Sequence, residues 1–276
     1  MDKSDCSKFE EAAEERAKGG HNEDAMEMFL ATAKCWYKWE FFSKAANAYE
    51  RAYEHAMLAN QYSNAAEYMQ DAGDCWIKEG EHEKFEIDYQ IASEAHIYAA
   101  EEDRDPIKFV EGAFCAIIGG DLDLARHLIH AAAETTRGKA KELINLALML
   151  NEYHFGDAHM YIEAALTRVS DKEGMKKIRE LFLLIFAGFI RSLLESEIAV
   201  TISSLAESTG LSISEVNSFV KRGIERGHIP AYLDQETQEL VVDSDRLDMA
   251  ELSRRQGPIM SRDLEDPGAW DVDLDE

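Results

Sequence analysis

The sequence predicts a mainly α-helical protein in which stacked pairs of antiparallel helices are followed by a winged helix. A shift of 40 residues places Cys35-Trp36 on Cys75-Trp76, and a second shift of 40 reaches Cys115. Only 4 of the 276 residues are proline, while the good helix formers Ala, Glu, Leu and Lys are abundant. A fixed period of this length is typical of proteins built from repeated structural units.

Each unit is predicted to contain two helices and a short turn. We expect helices at 4–18, 22–40, 43–59, 63–78, 83–100, 106–119, 121–136, 139–151, 157–169 and 171–196. Ser43 and Ser63 are suitable N-caps, and Gly80 falls where a turn needs a permissive backbone. Pro106 suits the first turn of a helix.

Small and large residues alternate within these units, as in Ala45, Ala46 and Ala48 beside Tyr49. One helical hairpin cannot bury its own apolar face, so neighbouring units must interlock through such positions. The apolar run 181–190, about ten residues long, is predicted to be a buried helix core, because a membrane span needs about 20 residues. No secretory signal is recognised at the N-terminus.

The three cysteines at 40-residue spacing occupy one repeated position. We interpret Cys35, Cys75 and Cys115 as small apolar packing residues. Neighbouring repeats are roughly 10 Å apart, which is too far for these cysteines to bridge one another. Free thiols indicate a reducing compartment, so a cytoplasmic location is expected. Cys6 lies outside the register, and no role is predicted for it.

Three segments of the repeat carry a family resemblance: Ala45-Ala46-Asn47-Ala48-Tyr49-Glu50-Arg51-Ala52, Ala65-Ala66-Glu67-Tyr68 and Asp71-Ala72-Gly73-Asp74-Cys75. They resemble soluble NSF attachment proteins (SNAPs), which are tetratricopeptide-like right-handed superhelices with units longer than the ordinary ~34 residues. The resemblance covers about residues 20–136. It implies an adaptor that recruits an AAA-type ATPase or a coiled-coil bundle.

The pattern changes after residue 198. A short helix at 202–208 leads into the turn Thr209-Gly210-Leu211, and a capping box from Ser212 to Glu215 starts a second helix. This helix stops at Gly227, and two short strands follow at 229–233 and 240–242. Helix, turn, helix and β-ribbon in this order predict a winged helix.

The same region carries a second resemblance, in Leu205-Ala206, Gly210-Leu211-Ser212, Val216, Ile229, Ala231, Leu233-Asp234-Gln235 and Val241-Val242. It resembles the C-terminal winged helix of PCI domains, the subunit modules of the proteasome lid, the COP9 signalosome and a translation initiation complex. PCI proteins place helical repeats directly upstream, as this chain does. The resemblance implies a scaffold subunit whose partners are the other subunits of a complex.

We expect three parts: a helical-repeat superhelix at 1–196, a PCI-like winged helix at 197–252 and an acidic tail at 253–276. From Ser261 the tail holds seven acids and one base, so disorder is expected. It is either a solvating tail or a short linear motif anchored by Trp270, Val272 and Leu274. SNAPs also end with a leucine among acids that engages their ATPase partner, and Leu274 is similar.

Net charge argues against nucleic acid as a partner. The chain has a formal charge of −26, whereas DNA and RNA binding depends on Lys and Arg that release counterions. A winged helix can read the major groove with its second helix, but the first turns of that helix offer Ser214, Glu215, Asn217 and Ser218. Protein partners are therefore favoured, and a winged-helix nucleic-acid-binding or regulatory protein is the alternative.

No motif for catalysis or for metal binding is recognised in the sequence. His127, His130, His154 and His159 have helical spacing, yet no Cys or carboxylate set completes a metal site at recognised spacing. There is no phosphate-binding glycine loop and no nucleophile–base pair at motif spacing. We expect no catalytic residues, no metal and no cofactor.

The predicted function is that of a non-catalytic adaptor or scaffold that binds other proteins. A stack offers a long curved surface, and its rigidity lowers the entropy lost on binding. The expected contact residues are Trp39, Glu40 and Phe42 at the first hairpin turn, and Trp270 and Leu274 in the tail.

Overall fold

The computed structural model describes residues 3–135, 139–168, 170–197 and 199–243. Its first part is a series of seven helices: α1 Lys3–Lys18, α2 Asn22–Lys38, α3 Phe42–Leu58, α4 Tyr62–Glu79, α5 His82–Asp103, α6 Pro106–Ile118 and α7 Leu122–Thr135. Each of these helices packs against the next one in the chain. The predicted stack of paired helices is therefore confirmed.

The turns of the stack recur every 20 residues, and a residue with left-handed backbone stands in most of them. Five turn residues at this spacing have positive φ: Gly20 (72°), Glu40 (59°), Asn60 (58°), Gly80 (83°) and Gly120 (82°). Gly80 thus takes the permissive turn position that the sequence predicts. The turn after α5 departs from the spacing, because this helix continues to Asp103.

The predicted N-caps Ser43 and Ser63 are wrong. The N-cap positions of α3 and α4 are Phe41 and Gln61, and neither forms a side-chain cap hydrogen bond. The backbone N–H of Ser43 donates instead to a carboxylate oxygen of Glu79 at 3.1 Å. An acceptor from the next hairpin satisfies this helix end, and a local cap pattern cannot predict such a contact.

The repeated tryptophans and lysines make a repeated contact. The Nζ atom of Lys44 lies 4.4 Å from the ring centroid of Trp36, and that of Lys84 lies 4.1 Å from the ring centroid of Trp76. Each ammonium covers the face of a ring that is otherwise buried between hairpins, and the ring quadrupole attracts it. The 40-residue shift therefore repeats an interaction as well as residue types.

The cysteine prediction is correct for two positions and wrong for the third. Cys75 and Cys115 are buried free thiols, and burial raises the pKa of Cys75 to about 12. Cys35 is buried at the equivalent position but forms a disulfide with Cys6 of α1, with 5.4 Å between the Cα atoms. The 40-residue spacing shows only that Cys35 is equivalent to Cys75 and Cys115. It carries no information on which residue of α1 lies beside Cys35.

The second part of the stack ends in a long buried helix. It contains α8 Lys139–Asn151, α9 Phe155–Ala164, a 3₁₀ turn at Leu166–Arg168 and α10 Lys172–Ser196. The apolar run 181–190 lies inside α10 and is mostly buried, as predicted. Phe182 and Phe186 pack against Phe155 with centroid distances of 5.8 and 5.3 Å. In the described ranges, no helix is long and apolar enough to cross a membrane.

The C-terminal part is a winged helix, composed of β1 Ala199–Thr201, α11 Ile202–Thr209, α12 Ile213–Glu225, β2 Ala231–Asp234 and β3 Glu239–Val242. The predicted capping box of Ser212 and Glu215 is present at the start of α12. The sheet is antiparallel with the order β1–β3–β2, and Val200 pairs with Leu240. The sequence predicts only the β2–β3 ribbon, because three residues in β1 are too short an alternation to recognise.

The stack and the winged helix meet backbone against backbone. Gly156 lies in the first turn of α9, and Gly210 is the C-cap of α11 with φ 69°. A Cβ atom on Gly156 would lie 2.5 Å from the carbonyl oxygen of Gly210 and 2.8 Å from its carbonyl carbon. Both atoms belong to the backbone and cannot rotate away. This corner of the winged helix therefore fits α9 only if position 156 has no side chain.

We predict that Gly156→Ala lowers the free energy of unfolding by about 1–3 kcal/mol, because the added methyl group overpacks the junction. Chemical denaturation of the full chain measures this change. Gly188→Ala in α10 is the control, since its Cβ would have its nearest contact at 3.6 Å and alanine favours helix over glycine. Equal destabilisation by the two variants would contradict the close approach.

Candidate protein-binding site

A cleft of about 1150 Å³ opens where the helical stack meets the winged helix. One wall consists of the hairpin turns between α2 and α3 and between α4 and α5. The opposite wall consists of α10 and the segment that follows α12. We call it the junction cleft and define it by Tyr37, Phe42, Lys78, His82, Glu180, Arg226 and His228.

The stack side of the junction cleft carries an ammonium group on a pair of aromatic rings. Tyr37 and Phe42 meet edge to face at a centroid distance of 5.5 Å. The Nζ atom of Lys78 lies 4.2 Å from the first centroid and 4.9 Å from the second, and it donates to the Tyr37 hydroxyl. Such a surface can contact both apolar and acidic groups of a ligand.

The winged-helix side is built around one carboxylate. Glu180 of α10 accepts a hydrogen bond from Arg226, which follows directly after α12. Gly227 comes next with φ 77°, and a Cβ atom there would lie 3.4 Å from the carbonyl oxygen of Ile77. The left-handed turn at Gly227 therefore brings the end of α12 close to the end of α4.

The side chain of Arg191 connects the two walls of the junction cleft through hydrogen bonds. Its side chain is 5% exposed, and its Nη2 atom donates to Glu86 of α5 at 2.9 Å. The Nη1 atom donates to the carbonyl oxygen of His228 at 2.9 Å. The guanidinium carbon lies 5.3 Å from the ring centroid of Phe85. One buried cation is thus hydrogen-bonded at once to the partly exposed Glu86 of the stack and to the winged helix.

Two histidines beside Arg191 are held in the neutral form. Burial lowers the pKa of His82 to about 3, and the positive charge of Arg191 adds to the effect. Burial also lowers the pKa of His228 to about 4, although Glu180 opposes this. The Nε2 atom of His228 lies 3.8 Å from Glu180, a distance too long for a hydrogen bond. Protonation of either ring would place a second positive charge near Arg191.

The predicted contact residues are distributed unequally around the cleft. Phe42 lines it, half-buried, whereas Trp39 and Glu40 lie on the adjoining turn outside the lining. Trp39 is 41% exposed. Trp270 and Leu274 lie outside the described residues. Whether any of these side chains contacts a partner stays a prediction.

Sequence reasoning missed most of the polar residues of the junction. Arg191 and Glu86 are separated by 105 positions, and no motif links them. The sequence shows Lys78 only as the residue 40 positions after Lys38. Such a repeat indicates packing and does not indicate a cleft. His82 and His228 line the same cleft only because the winged helix packs against the second hairpin.

The second helix of the winged helix is packed against the stack. Phe219 of α12 contacts Phe182 and Phe186 of α10 at centroid distances of 5.1 and 5.7 Å. It also meets His159 of α9 edge-on at 5.3 Å, and His159 Nε2 lies 3.3 Å from Glu215. The apolar face of this helix therefore serves internal packing, while Arg226 at its end is bound to Glu180.

The histidines considered for metal binding are dispersed. His127 and His130 are exposed on α7, His154 is the N-cap of α9, and His159 packs against Phe219. Within the part of the chain that the structure describes, no group of three or more His, Cys, Asp or Glu residues is arranged to hold a metal ion.

Fold and cleft together define a helical-repeat protein whose terminal winged helix is fixed to the stack by a buried ionic contact. Comparison with protein families adds a match to the PCI domain over residues 163–244. The match begins at the end of α9 and includes α10 and the whole described winged helix. A search of curated proteins finds no significant match.

We predict that His82→Gln makes the protein less sensitive to acid. The folded-state pKa of His82, about 3, lies below the unfolded value of about 6.5, so the unfolded chain binds the proton first. Stability therefore falls as the pH drops from about 6.5 toward 3. The variant should lose about 2 kcal/mol less than the parent protein between pH 7 and pH 5.

Denaturant titrations at the two pH values measure this difference. His130→Gln on the exposed side of α7 is the matched control and should follow the parent protein. A pH dependence that His82→Gln leaves unchanged would show that this ring does not resist protonation in the folded state.

Proposed function

We propose that this protein is a non-catalytic scaffold subunit of a PCI-type multi-protein complex. The observation that carries the proposal is the PCI-domain match over residues 163–244. In such a role the helical stack and the winged helix would each contact other subunits. The domain division that we propose is a repeat superhelix at 1–196, a winged helix at 197–252 and an acidic tail at 253–276.

The junction supports this role because it fixes two binding elements in one relative orientation. Arg191 is hydrogen-bonded on both sides of it, and the backbones of Gly156 and Gly210 touch. A partner that spans both elements then loses little conformational freedom of the scaffold, and this raises affinity. The junction cleft lies at the centre of such a composite surface.

Exposed apolar side chains indicate where partners would bind. On the winged helix, Ile213 is 57% and Tyr232 is 52% exposed. On the stack, we propose Trp39, Glu40 and Phe42 at the first hairpin turn, continuous with the junction cleft. In the tail, Trp270 and Leu274 are proposed as anchors of a linear motif. Large side chains of this kind are enriched among residues that dominate binding energy.

A SNAP-like adaptor role is the second candidate, and the length of the repeat supports it. Turns that recur every 20 residues give units of 40, as expected for the longer tetratricopeptide-like units. In that role the partners would be an AAA-type ATPase or a coiled-coil bundle, and Leu274 would contact the ATPase. Cytoplasm is the compartment that we propose for either role, where the Cys6–Cys35 bond would be subject to reduction.

Nucleic-acid binding is the alternative that the winged helix raises. Between residues 198 and 243 the chain has seven acids and three bases, and one of these bases, Arg226, is paired with Glu180. Few cations are then available to replace counterions on a phosphate backbone. We therefore favour protein partners over DNA or RNA.

The experiment is affinity capture of the full chain from a cell extract of its own source, with quantitative mass spectrometry. We predict co-purification of the subunits of one PCI-type complex in a fixed ratio to the bait. Tyr232→Glu should reduce their capture by about tenfold, because it buries a charge in the interface. His130→Glu, at an exposed polar position on α7, is the control for the added charge.

The other outcomes separate the alternatives. Capture of an ATPase with membrane-fusion factors would replace the PCI-type role by the SNAP-like role. Retention of the purified chain on DNA or RNA at about 0.15 M salt, where weak electrostatic contacts are largely screened, would overturn the proposal.

A further inference from the structure

A second cavity lies on the stack itself, between α3 and α5 and above α4. Its volume is about 440 Å³. It includes no residue of the region matched by the PCI domain and none of the residues that define the junction cleft. We call it the groove pocket, and its defining residues are Glu50, Tyr53, Trp76, Lys84, Ile87 and Asp88.

The sides of the groove pocket are apolar and accessible. Ile87 is 45% exposed, and Tyr53 and Ile91 are partly exposed beside it. Trp76 forms the floor and is 6% exposed. The indole N–H of Trp76 donates to Glu50 at 2.8 Å, which fixes both groups. These surfaces suit the methylene chain of a long side chain, which packs on apolar walls while its polar head reaches further in.

A carboxyl group at the base of the pocket lacks a partner. Asp88 is 5% exposed, and its Oδ2 atom is buried without a hydrogen bond to any described residue. Buried polar atoms without a partner are rare in folded proteins, because each costs about 1–3 kcal/mol. A carboxyl group of this kind in the wall of a cavity is available to a hydrogen-bond donor that enters the cavity.

The cations near Asp88 contact other groups. The Nζ atom of Lys84 lies 4.1 Å from the centroid of Trp76 and 3.5 Å from Glu81. The Nε atom of Arg51 in α3 lies 3.1 Å from a carboxylate oxygen of Glu54, and its Nη1 atom lies 3.4 Å from Glu14. The carboxyl groups of Glu50 and Asp88 thus have no hydrogen bond from a basic side chain among the described residues.

The raised pKa of Asp88 also bears on which ligand the pocket can bind. The pKa of Asp88 is raised to about 8, mainly by burial and also by the charge of Glu50, while Lys84 opposes the shift. In the free protein this carboxyl therefore holds a proton near neutral pH. A ligand cation can take the place of that proton, because an opposite charge at contact distance favours the ionised form.

We propose that the groove pocket binds a lysine or arginine side chain from a partner protein. The cationic head donates to the carboxylate of Asp88 and lies beside Glu50, and the aliphatic stem packs between Tyr53 and Ile87. The overall charge of −26 attracts basic partners over a distance and supports this choice. The inference concerns a surface apart from the winged helix, so it holds or fails independently of the PCI-type role.

The test uses three small probes on the full chain: N-acetyl-arginine amide, N-acetyl-lysine amide and the neutral isostere N-acetyl-citrulline amide. The NMR signals of the Trp76 indole N–H and the Ile87 methyl groups report on the pocket. We expect both cationic probes to shift these signals in a saturable way. Citrulline should bind about tenfold more weakly, since a charge-assisted hydrogen bond is roughly twice as strong as a neutral one.

Two variants test the contact itself. Asp88→Asn keeps the shape and removes the charge, and it should weaken the arginine probe by about tenfold. Glu50→Gln should weaken it to a smaller extent and serves as a second variant if Asp88→Asn unfolds the chain. Asp123→Asn on α7, where the side chain is 87% exposed, removes the same charge far from the pocket and should have no effect.

Three results would overturn the proposal. They are equal binding of citrulline and arginine, equal weakening by Asp88→Asn and Asp123→Asn, and absence of any shift at Trp76 and Ile87. Affinity capture of PCI-type subunits by the Asp88→Asn variant would remain informative in each case, because Tyr232 tests the winged-helix surface separately.

Discussion

The guanidinium of Arg191 is the contact on which the arrangement of the two halves depends. It is buried, charged and hydrogen-bonded to Glu86 in the stack and to the His228 carbonyl in the winged helix. Apolar contacts elsewhere in the junction, such as Phe182 against Phe219, tolerate small displacements because they have no direction. Hydrogen bonds donated by the planar guanidinium group are directional and tolerate less displacement. Apolar burial therefore supplies most of the attraction, and Arg191 fixes the orientation.

The helical stack could be predicted from the sequence because its contacts are local. Each helix meets mainly its sequence neighbours, so a residue pattern that repeats every 40 positions repeats its environment as well. Trp36 with Lys44 and Trp76 with Lys84 show this directly, since both pairs form the same contact. The winged helix could be recognised for the same reason. Its capping box, turn glycine and ribbon are all short-range signals.

The features that could not be predicted from the sequence depend on long-range contacts. Cys6 lies outside the repeat, and only the packing of α1 on α2 brings it to Cys35. The cap on α3 comes from Glu79 in the next hairpin. Asp88 stands in a helix full of acids, and nothing in its neighbours reveals that this one is 5% exposed. Periodicity identifies equivalent positions, but it does not tell which of them folding leaves without a partner.

The junction cleft and the groove pocket differ in how the protein treats its buried charges, and this difference separates their roles. At the junction, Arg191 has two strong acceptors, and the neighbouring histidines are kept neutral. The acceptors of Arg191 lie within the protein on both sides of the junction, so this cation fixes structure and needs no ligand. In the groove pocket the buried Oδ2 atom of Asp88 has no hydrogen-bond partner among the described residues. A scaffold gains from both, because the contacts of Arg191 hold a surface rigid while the carboxyl group of Asp88, as we propose, binds a basic side chain of a partner.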